Sequence, residues 1–261
     1  MTASVPVTHV TSRDNPLIKE LRRLSQDGTA YRKHRRVWLE GDHLCRASLA
    51  RGWRPVLAVF SESYWPLARA ECAGAAIKNI VVADALLPDI SGLESPAEMG
   101  FVIELPAEVP LIPAASTVIL DRVQDAGNVG SILRSAAAFG VKQIVSLKGT
   151  AALWSPKVLR AGMGAHFTLN LVEGVTLEAL NALTIPIVVT SSHQGSLLHQ
   201  QKLPVRCAWA MGHEGQGVSE ELMAMASLRV RIDQPGGEES LNVASAAAIC
   251  LYASSLKSQL S

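Results

Sequence analysis

The stretch TVILDRVQDAGNVGSILRSAAAFG, residues 117–140, indicates the fold class of this chain. It opens with the uninterrupted apolar run VIL, continues through a turn bracketed by Gly127 and Gly130, and ends in a helical pattern predicted to start near Asn128 or Val129. A short strand that is apolar on both faces and leads directly into a helix is typical of a parallel sheet with helices on both faces. The stretch therefore predicts an α/β fold.

The same alternation of strand and helix patterns extends toward the C-terminus. Four further apolar strands are predicted: QIVSL at 143–147, FTLNLV at 167–172, IPIVVTS at 185–191 and CAWAMG at 207–212. Together with residues 117–121 they predict one parallel sheet. We therefore expect residues 117–261 to form one domain.

The N-terminal hundred residues predict a second, smaller α/β unit. Its helices are expected at Asn15–Gln26 and Asp42–Ala50, and its strands at Val37–Glu40 and in the segments PVLAVF, KNIVV and GFVIEL. The stretch PAEVPLIPAAS, residues 106–116, has three prolines and no periodicity, as a linker would. The predicted domains are therefore 1–105 and 117–261, joined by 106–116.

Composition narrows the class of protein. Of the 261 residues, 48% are hydrophobic and 18% charged, which is typical of a globular protein and excludes a fibrous or disordered one. No apolar run approaches the length of about 20 residues that a membrane helix needs, and the N-terminus lacks a signal-peptide pattern, so we expect a soluble, cytoplasmic protein without membrane association. The four cysteines are widely spaced and predict core residues rather than a disulfide framework or a metal site.

Charge is distributed unevenly along the chain. Residues 13–54 contain eleven Lys and Arg against five Asp and Glu, a net charge of +6, whereas the remainder carries −5. A basic region in an otherwise acidic chain favours a polyanionic partner such as RNA, and Tyr31, Trp38 and Trp53 are expected to offer surfaces on which bases stack. The alternative is an ordinary solvated helix face, because LIKELRRLSQ also fits an amphipathic helix. The candidate RNA-binding residues are Arg22, Arg23, Arg32, Lys33, Arg35 and Arg36.

Ligands bind in parallel sheets at the loops that follow the strands, and three segments stand out as candidates for such a site. The first is residues 121–140, the second is AWAMGHEGQGVSEEL at 208–222, and the third is RIDQPGGEESLNVASAAAICLYA at 231–253. The second contains Glu214, expected to be a buried acid, and His213, which has no partner at metal-ligand spacing. The chain lacks a phosphate-binding loop and a dinucleotide fingerprint, which disfavours a nucleotide-dependent α/β enzyme.

Taken in order, NVGSILR, MGHEGQGV and IDQPGGEESLNVASAAAI resemble the three signature motifs of the SpoU (TrmH) branch of the SPOUT RNA methyltransferases. SPKVLRAGMGAHF, residues 155–167, is similar to another stretch of that family, and HRRVWLEG, residues 34–41, resembles its ribosomal-protein-like substrate-binding domain. The resemblance implies a homodimeric enzyme that methylates a ribose 2′-hydroxyl of rRNA or tRNA with S-adenosylmethionine. It also implies a deep C-terminal trefoil knot, a rare exception to unknotted chain topology.

The resemblance also implies roles for individual residues. Those implied in catalysis are Arg134, Asn128, Glu214, Ser240 and Asn242, and those implied in cofactor binding are Thr190, Ser191, Gly212, Ile232 and Leu241. Because a guanidinium is a reluctant base, we expect Arg134 to clamp a phosphate beside the target ribose and to lower the pKa of the hydroxyl electrostatically. Asn128 and Ser240 would orient the RNA, Asn242 would hold its loop, and Glu214 would stabilise the loops or the arginine. No metal is expected, since S-adenosylmethionine carries its own leaving group.

One alternative comes from a different class of protein. A non-catalytic RNA-binding protein that retains the methyltransferase fold would bind RNA through its basic N-terminal region without binding S-adenosylmethionine. The loop Asp233–Glu239 departs from what is expected near RNA, because it carries three acidic residues. The sequence therefore does not determine how closely this loop approaches the nucleic acid.

Overall fold

The computed structural model describes residues 6–72, 74–191, 195–237 and 240–258, and these divide into two compact units. Unit 1 consists of the described part of residues 1–107 together with Trp154–Phe167, and unit 2 consists of the described part of 108–153 and 168–261. Within the described residues, no helix combines the length and apolarity required to cross a membrane.

Helices and strands are interspersed along the described part of the chain. Those of the first hundred residues are β1 Val7–Val10, α1 Pro16–Gln26, α2 Ala30–His34, β2 Arg36–Glu40, α3 Asp42–Ala50, β3 Leu57–Ser61, α4 Trp65–Cys72, β4 Lys78–Val82, α5 Leu87–Ile90 and β5 Met99–Glu104. The remaining ones are β6 Thr117–Asp121, α6 Ala126–Ala138, β7 Gln143–Leu147, α7 Pro156–Gly162, β8 Asn170–Val175, β9 Ile187–Thr190, β10 Ser196–Leu197, β11 Ala208–Gly212, α8 Glu220–Ala224, β12 Leu228–Arg231 and α9 Val243–Ser258.

Unit 1 contains a mixed five-stranded sheet in the order β1-β4-β3-β5-β2. β1, β4 and β3 are parallel, and β5 runs antiparallel to both β3 and β2. α1 begins after Asn15, whose side chain accepts a hydrogen bond from the Leu17 N–H, and Pro16 occupies the first turn where no N–H is needed. Its apolar stripe, including Ile18 and Leu21, is buried in the core of the unit.

Unit 2 contains a seven-stranded sheet in the order β10-β12-β9-β11-β6-β7-β8, in which every neighbouring pair is parallel. Its central strands are buried along their whole length, as the apolar runs predict. α6 packs against α9 beside the sheet. The predicted α/β class with a parallel sheet and flanking helices is therefore confirmed.

Several predicted boundaries differ from the structure. α6 begins at Ala126 rather than at Asn128 or Val129, because the Asp125 side chain caps it by accepting from the Asn128 N–H at 2.7 Å. Gly127 and Gly130 therefore lie inside the helix and form no turn. The strand predicted for FTLNLV starts later, at β8, and is preceded by a 3₁₀ turn over Ala165–Thr168.

Residues 106–116 contain no helix or strand, and all of them from Glu108 onward belong to unit 2. The side-chain amide of Gln143 accepts from the Ile112 N–H at 2.8 Å and donates to the Ile112 carbonyl at 3.3 Å. The segment Trp154–Phe167 groups with unit 1, although the predicted boundary placed it in the C-terminal domain. Trp53 packs between Trp154 and Phe167, with ring centroids 5.8 and 5.7 Å away. All four cysteines are buried and free, as predicted.

Candidate functional site

A cavity of about 340 Å³ opens in unit 2 at the carboxyl ends of β12, β9 and β11, which are neighbours in the sheet. All five residues predicted to bind the cofactor line it, although they come from three separate segments: Thr190, Ser191, Gly212, Ile232 and Leu241. Glu214 and Ser240, two of the predicted catalytic residues, line it as well. This volume and this position in a parallel sheet are typical of a small-molecule site.

The loop after β11 folds back so tightly that Gly212, the last residue of the strand, must be glycine. A Cβ on Gly212 would lie 2.1 Å from the Gly217 carbonyl carbon and 2.2 Å from the Val218 nitrogen. Gly217 has a φ of +69°, a conformation that glycine adopts without strain. The His213 backbone pairs with Gly217, and its Nδ1 accepts from the Gly215 N–H at 3.0 Å, so this histidine holds the loop together.

The part of the wall formed by the loop after β12 and the start of α9 is mostly apolar. Ile232, Leu241 and Val243 contribute to it, and Leu241 is 39% exposed. An apolar side chain left this accessible at a cavity is suited to cover by a ligand. Gln234 also lines the cavity, and its Oε1 is buried with no hydrogen-bond partner among the described residues.

The carboxylate of Glu214 joins the loop after β11 to the start of α6. It accepts from the N–H groups of Gln124 and Asp125 at 3.2 and 3.0 Å, and from Asn128 Nδ2 at 3.1 Å. Although partial burial opposes ionisation, the hydrogen bonds from Asn128 and from the backbone lower the pKa of Glu214 below its ordinary value. The expectation of a buried acid was wrong, because the side chain is exposed and gains its partners from the neighbouring backbone.

The third segment joins the same network through Asn128. Asn242 Nδ2 donates to Asn128 Oδ1 at 2.9 Å, and Asn242 Oδ1 accepts from the N–H groups of Ala244 and Ser245 at 2.9 and 3.2 Å. Asn242 therefore caps α9 while contacting the start of α6. Asn128 is the point where the three motif segments meet, since its amide donates to Glu214 and accepts from Asn242.

Arg134 lies outside the cavity wall. Its side chain is exposed on α6, between one and two turns beyond Asn128. It forms no hydrogen bond or salt bridge with any residue that the structure describes, so its guanidinium is free to meet an external anion.

A second set of contacts, which sequence reasoning missed, fixes the end of β6. The carboxylate of Asp121 is buried and accepts from the Ser219 N–H at 2.6 Å and from Arg122 Nε at 2.9 Å. Burial raises the pKa of Asp121, but these hydrogen bonds outweigh it and the net pKa is lowered. Arg122 has a φ of +58° and donates from Nη1 to Gln216 Oε1 at 2.9 Å. The strained arginine therefore ties β6 to the loop after β11.

The six cations predicted to bind RNA differ in their partners within unit 1. Arg22 pairs with Asp89 at 3.4 Å, and Arg36 pairs with Glu104 at 3.0 Å. The Arg32 guanidinium lies 5.6 Å from the centre of the Tyr31 ring. The side chains that are exposed and form no salt bridge with the described residues are those of Arg23, Lys33 and Arg35.

The expectation that aromatic residues present stacking surfaces beside these cations was wrong. Tyr31 and Trp38 are only 4% and 6% exposed. Trp53 is engaged by Trp154 and Phe167, and its indole N–H donates to the Phe167 carbonyl at 3.3 Å. These rings are used for packing in unit 1, because burial of aromatic area is strongly favourable. In the part of the chain described, no three His, Cys, Asp or Glu side chains form a potential metal site.

Comparison with protein families gives one match that spans more than half of the chain. The SpoU rRNA Methylase family matches residues 115–252. This range includes all three motifs and every residue that lines the cavity.

Two curated proteins illustrate the similarity over longer stretches. An uncharacterised tRNA/rRNA methyltransferase of Synechocystis is 30% identical over 258 residues, which cover 94% of this chain and 93% of that protein. The 23S rRNA (guanosine(2553)-2′-O)-methyltransferase RlmP of Bacillus subtilis is 32% identical over 166 residues, which cover 62% of this chain and 66% of that protein.

Among solved structures, an S-adenosylmethionine-bound rRNA methyltransferase from Sinorhizobium meliloti superimposes with a TM-score of 0.82 at 26% identity. The match covers 96% of this chain and 98% of that one. A TrmH-family protein from Porphyromonas gingivalis, described as a putative RNA methyltransferase, gives a TM-score of 0.81 at 28% identity over 92% of this chain and 97% of that one.

Proposed function

This chain belongs to the SpoU rRNA methylase family, and we propose that the cavity at the ends of β12, β9 and β11 is the site of its reaction. The chain is an S-adenosylmethionine-dependent RNA methyltransferase that acts on a ribose 2′-hydroxyl. The observation that supports this location is the convergence of five predicted cofactor positions, far apart in sequence, on one cavity.

The residues of the cavity fit S-adenosylmethionine. Ile232, Leu241 and Val243 offer an apolar wall for a flat ring, and the backbone of the Gly212–Gly217 loop offers polar atoms. When bound, S-adenosylmethionine supplies an activated methyl group on a sulfonium sulfur. The residues of the chain position the RNA hydroxyl and place charged groups around it.

The network of Glu214, Asn128 and Asn242 acts as a positioning device. It fixes the start of α6 to the loop after β11 and to the start of α9. Because both polar atoms of the Asn128 side chain are already engaged, its role is to hold these three segments in register. Ser240 is exposed and lines the cavity, so we assign its side chain to orienting a ribose.

Arg134 acts on the RNA. Its free guanidinium binds a phosphate next to the target ribose through two parallel hydrogen bonds, and its charge lowers the pKa of the 2′-hydroxyl as the proton leaves. The proton passes to solvent or to that phosphate, since a guanidinium is already fully protonated and does not accept it. Rigid attachment of α6 to the cavity loops sets the distance between this arginine and the methyl group.

RNA binding outside the reaction site is assigned to unit 1, as a ribosomal-protein-like substrate-binding domain. Arg23, Lys33 and Arg35 are its available cations, and Arg32 adds to them beside Tyr31. Arg22 and Arg36 serve mainly in salt bridges within the unit. The substrate is rRNA or tRNA, and we place the reaction in the cytoplasm because two relatives are named as 23S rRNA methyltransferases of bacteria.

The chain is proposed to act as a homodimer. Ile249, Tyr252 and Leu256 are 40%, 53% and 45% exposed and follow one another along a single face of α9. The Phe139 ring lies 5.7 Å from Tyr252 and extends this apolar face. A second copy of the chain is its proposed occupant, because self-complementary apolar faces support two-fold dimers.

A deep trefoil knot in unit 2 is part of the same proposal. Its support is the order of elements along the chain. β12, β9 and β11 are neighbouring strands, and α9, which follows all three in the sequence, packs on α6, which precedes them. Tracing the chain through residues 212–243 in an experimental electron-density map tests it. An untied path would contradict it.

The reaction is tested by transfer of tritiated methyl from S-adenosylmethionine to total RNA of a strain that lacks the gene, followed by digestion to locate the label. We expect label on a ribose 2′-oxygen, and a loss of at least a hundredfold in the Arg134→Ala variant. RNA binding without cofactor binding or transfer would instead support a non-catalytic RNA-binding protein. Calorimetry with S-adenosylhomocysteine on the same protein separates these outcomes.

A further inference from the structure

A second cavity opens in unit 2 at the carboxyl ends of β6, β7 and β8, on the same edge of the sheet as the first cavity at β12, β9 and β11. The last residues of its three strands, Asp121, Leu147 and Val175, line it, and its volume of about 370 Å³ is large enough for a nucleobase. Arg122 lines the second cavity and donates to Gln216, which lines the first, at 2.9 Å. The two cavities are therefore neighbours.

The second cavity is lined by charged groups of both signs, which disfavours a phosphate as its occupant. Asp121 and Arg122 pair with each other, and the other charged residues of the lining are Lys148, Glu178 and Glu221. Two carboxylates against one ammonium group repel an anion on balance. A neutral group that carries both hydrogen-bond donors and acceptors is therefore the expected ligand.

Lys148 and Glu221 are the charged side chains of this lining that a ligand can engage. Both are exposed, and neither forms a hydrogen bond or salt bridge with any residue that the structure describes. Glu178 is already engaged, because hydrogen bonds from its own backbone and from the Thr176 side chain lower the pKa of its carboxyl. Leu177 is half-buried and adds apolar surface. The cavity thus offers a carboxylate, an ammonium group and an apolar surface for a flat ring.

Guanine is the base whose Watson–Crick edge complements these groups. Its N1–H and 2-amino group are adjacent donors that one carboxylate accepts together, and O6 beside them is an acceptor for an ammonium group. Adenine presents the acceptor N1 to the carboxylate and an amino group to the ammonium group. Cytosine and uracil each offer a single donor on this edge, so neither pairs both oxygens of a carboxylate.

We propose that the second cavity binds a guanine base of the substrate RNA, with Glu221 accepting from N1–H and the 2-amino group and Lys148 donating to O6. The proposal rests on the proposed function, because it takes the RNA as the source of the base. Such a base is unpaired and turned out of its stack, as in sequence-specific recognition of single-stranded RNA. Glu221 and Lys148 are specificity-determining residues and take no part in methyl transfer.

Saturation-transfer NMR with mononucleotides tests the base preference without any turnover. Guanosine and adenosine 5′-monophosphates are titrated into the full chain with S-adenosylhomocysteine in excess, so that the first cavity is filled. The two nucleotides share their ribose and phosphate, so the ratio of their affinities reports on the base alone. Wild-type protein is expected to bind the guanine nucleotide about tenfold more tightly, since adenine leaves the carboxylate and the ammonium group unpaired.

Glu221→Gln and Lys148→Met each remove one partner of the base. In Glu221→Gln an amide donor faces one of the two donors of guanine, so the preference is expected to fall to about twofold or less. Lys148→Met leaves O6 without a donor and should lower the preference by about threefold or more. Glu220→Gln and Lys142→Met are the matched controls, because both residues are exposed and neither lines the cavity. They are expected to keep the full preference.

Total RNA from a strain that lacks the gene provides the arm that identifies the source of the base. It is expected to displace the bound guanosine monophosphate, whereas a nucleotide that stays in place while the RNA binds marks a site for a free guanine nucleotide and overturns the proposal. Equal binding of both nucleotides by wild-type protein, or the full preference in either Glu221→Gln or Lys148→Met, overturns it as well. Failure of S-adenosylhomocysteine to bind refutes the proposed function and is a distinct result, since the base preference is measured separately.

Discussion

Replacing Glu214 by Gln removes the connection between two of the loops around the cavity while keeping the shape of the side chain. Oε1 of the carboxylate accepts from the Asp125 N–H and from Asn128 Nδ2, and Oε2 accepts from the Gln124 N–H. An amide has one oxygen and one NH₂ group. Whichever way it turns, at least one of these donors then faces another donor, and the negative charge is lost.

The size of the effect follows from the number of bonds lost. A hydrogen bond to a charged group contributes about 1.5–3 kcal/mol, and the exposed position of Glu214 puts its contribution at the lower end, about 1.5 kcal/mol. Since about 1.4 kcal/mol corresponds to a factor of ten, local opening of residues 124–128 should become about tenfold more frequent.

Hydrogen exchange measured by mass spectrometry on the segment 122–130 reads this opening directly. We expect the amide protons of Gln124 and Asp125 to exchange about tenfold faster in Glu214→Gln than in wild-type protein at pH 7. Glu220→Gln is the control, because it changes the same residue type in unit 2 at an exposed position on α8 that makes no side-chain hydrogen bond with the described residues. Its exchange in this segment is expected to match wild type.

The pKa of Glu214 adds a second check. Because its pKa is lowered in the folded protein, the stabilisation is present above the unfolded pKa of about 4.5 and is lost as the pH falls through the folded value. The difference in thermal midpoint between wild type and Glu214→Gln should therefore be constant near neutrality and vanish only under acidic conditions. Unchanged exchange in a correctly folded variant would refute the positioning role given to this network.

Four further outcomes are expected. Asp121→Asn should cost about 2–3 kcal/mol of stability at pH 7, because it breaks a buried pair. In thermal unfolding this difference should shrink as the pH falls below the ordinary aspartate pKa of 3.8 and through the lowered pKa of folded Asp121. Arg134→Lys should lower kcat/KM by about tenfold or more with little change in S-adenosylhomocysteine affinity, and near-normal turnover would remove two-pronged phosphate binding from the mechanism. Combined charge reversal at Lys33 and Arg35 should weaken RNA binding and reduce its salt slope by about two, whereas an unchanged slope would place the RNA elsewhere. Tyr252→Glu should shift the chain toward monomer in analytical ultracentrifugation, and an unaltered sedimentation coefficient would exclude this face of α9 as the dimer interface.

The parallel sheet and the cavity residues were predictable because their signals are local. Apolar runs identify buried strands, and the motifs place Gly212 and Ile232 at strand ends and Leu241 just before α9, positions that converge on one cavity. The sequence did not predict β12, because LRVR is only four residues long and alternates apolar and polar residues. It did not predict β1 because this is a short strand at the edge of its sheet.

Other features depend on distant partners and leave no local trace. The hydrogen bond between Arg122 and Gln216 joins residues 94 positions apart. Gln234 Oε1 is buried without a hydrogen-bond partner among the described residues, and only the folded chain shows this. Exposure is equally non-local. The sequence shows Tyr31 and Trp38 among basic residues, but only the folded unit determines that both rings point into the core.

The meeting of three segments at Asn128 has a consequence for the timing of assembly. Its partners, Glu214 and Asn242, lie 86 and 114 residues further along the chain. Contacts of such separation form late, because long loops must close before they are stabilised. On the ribosome, where the N-terminal part of a chain folds first, unit 1 can acquire its structure while the cavity is still incomplete. The newly made protein can therefore engage RNA through its basic region before it is able to bind S-adenosylmethionine.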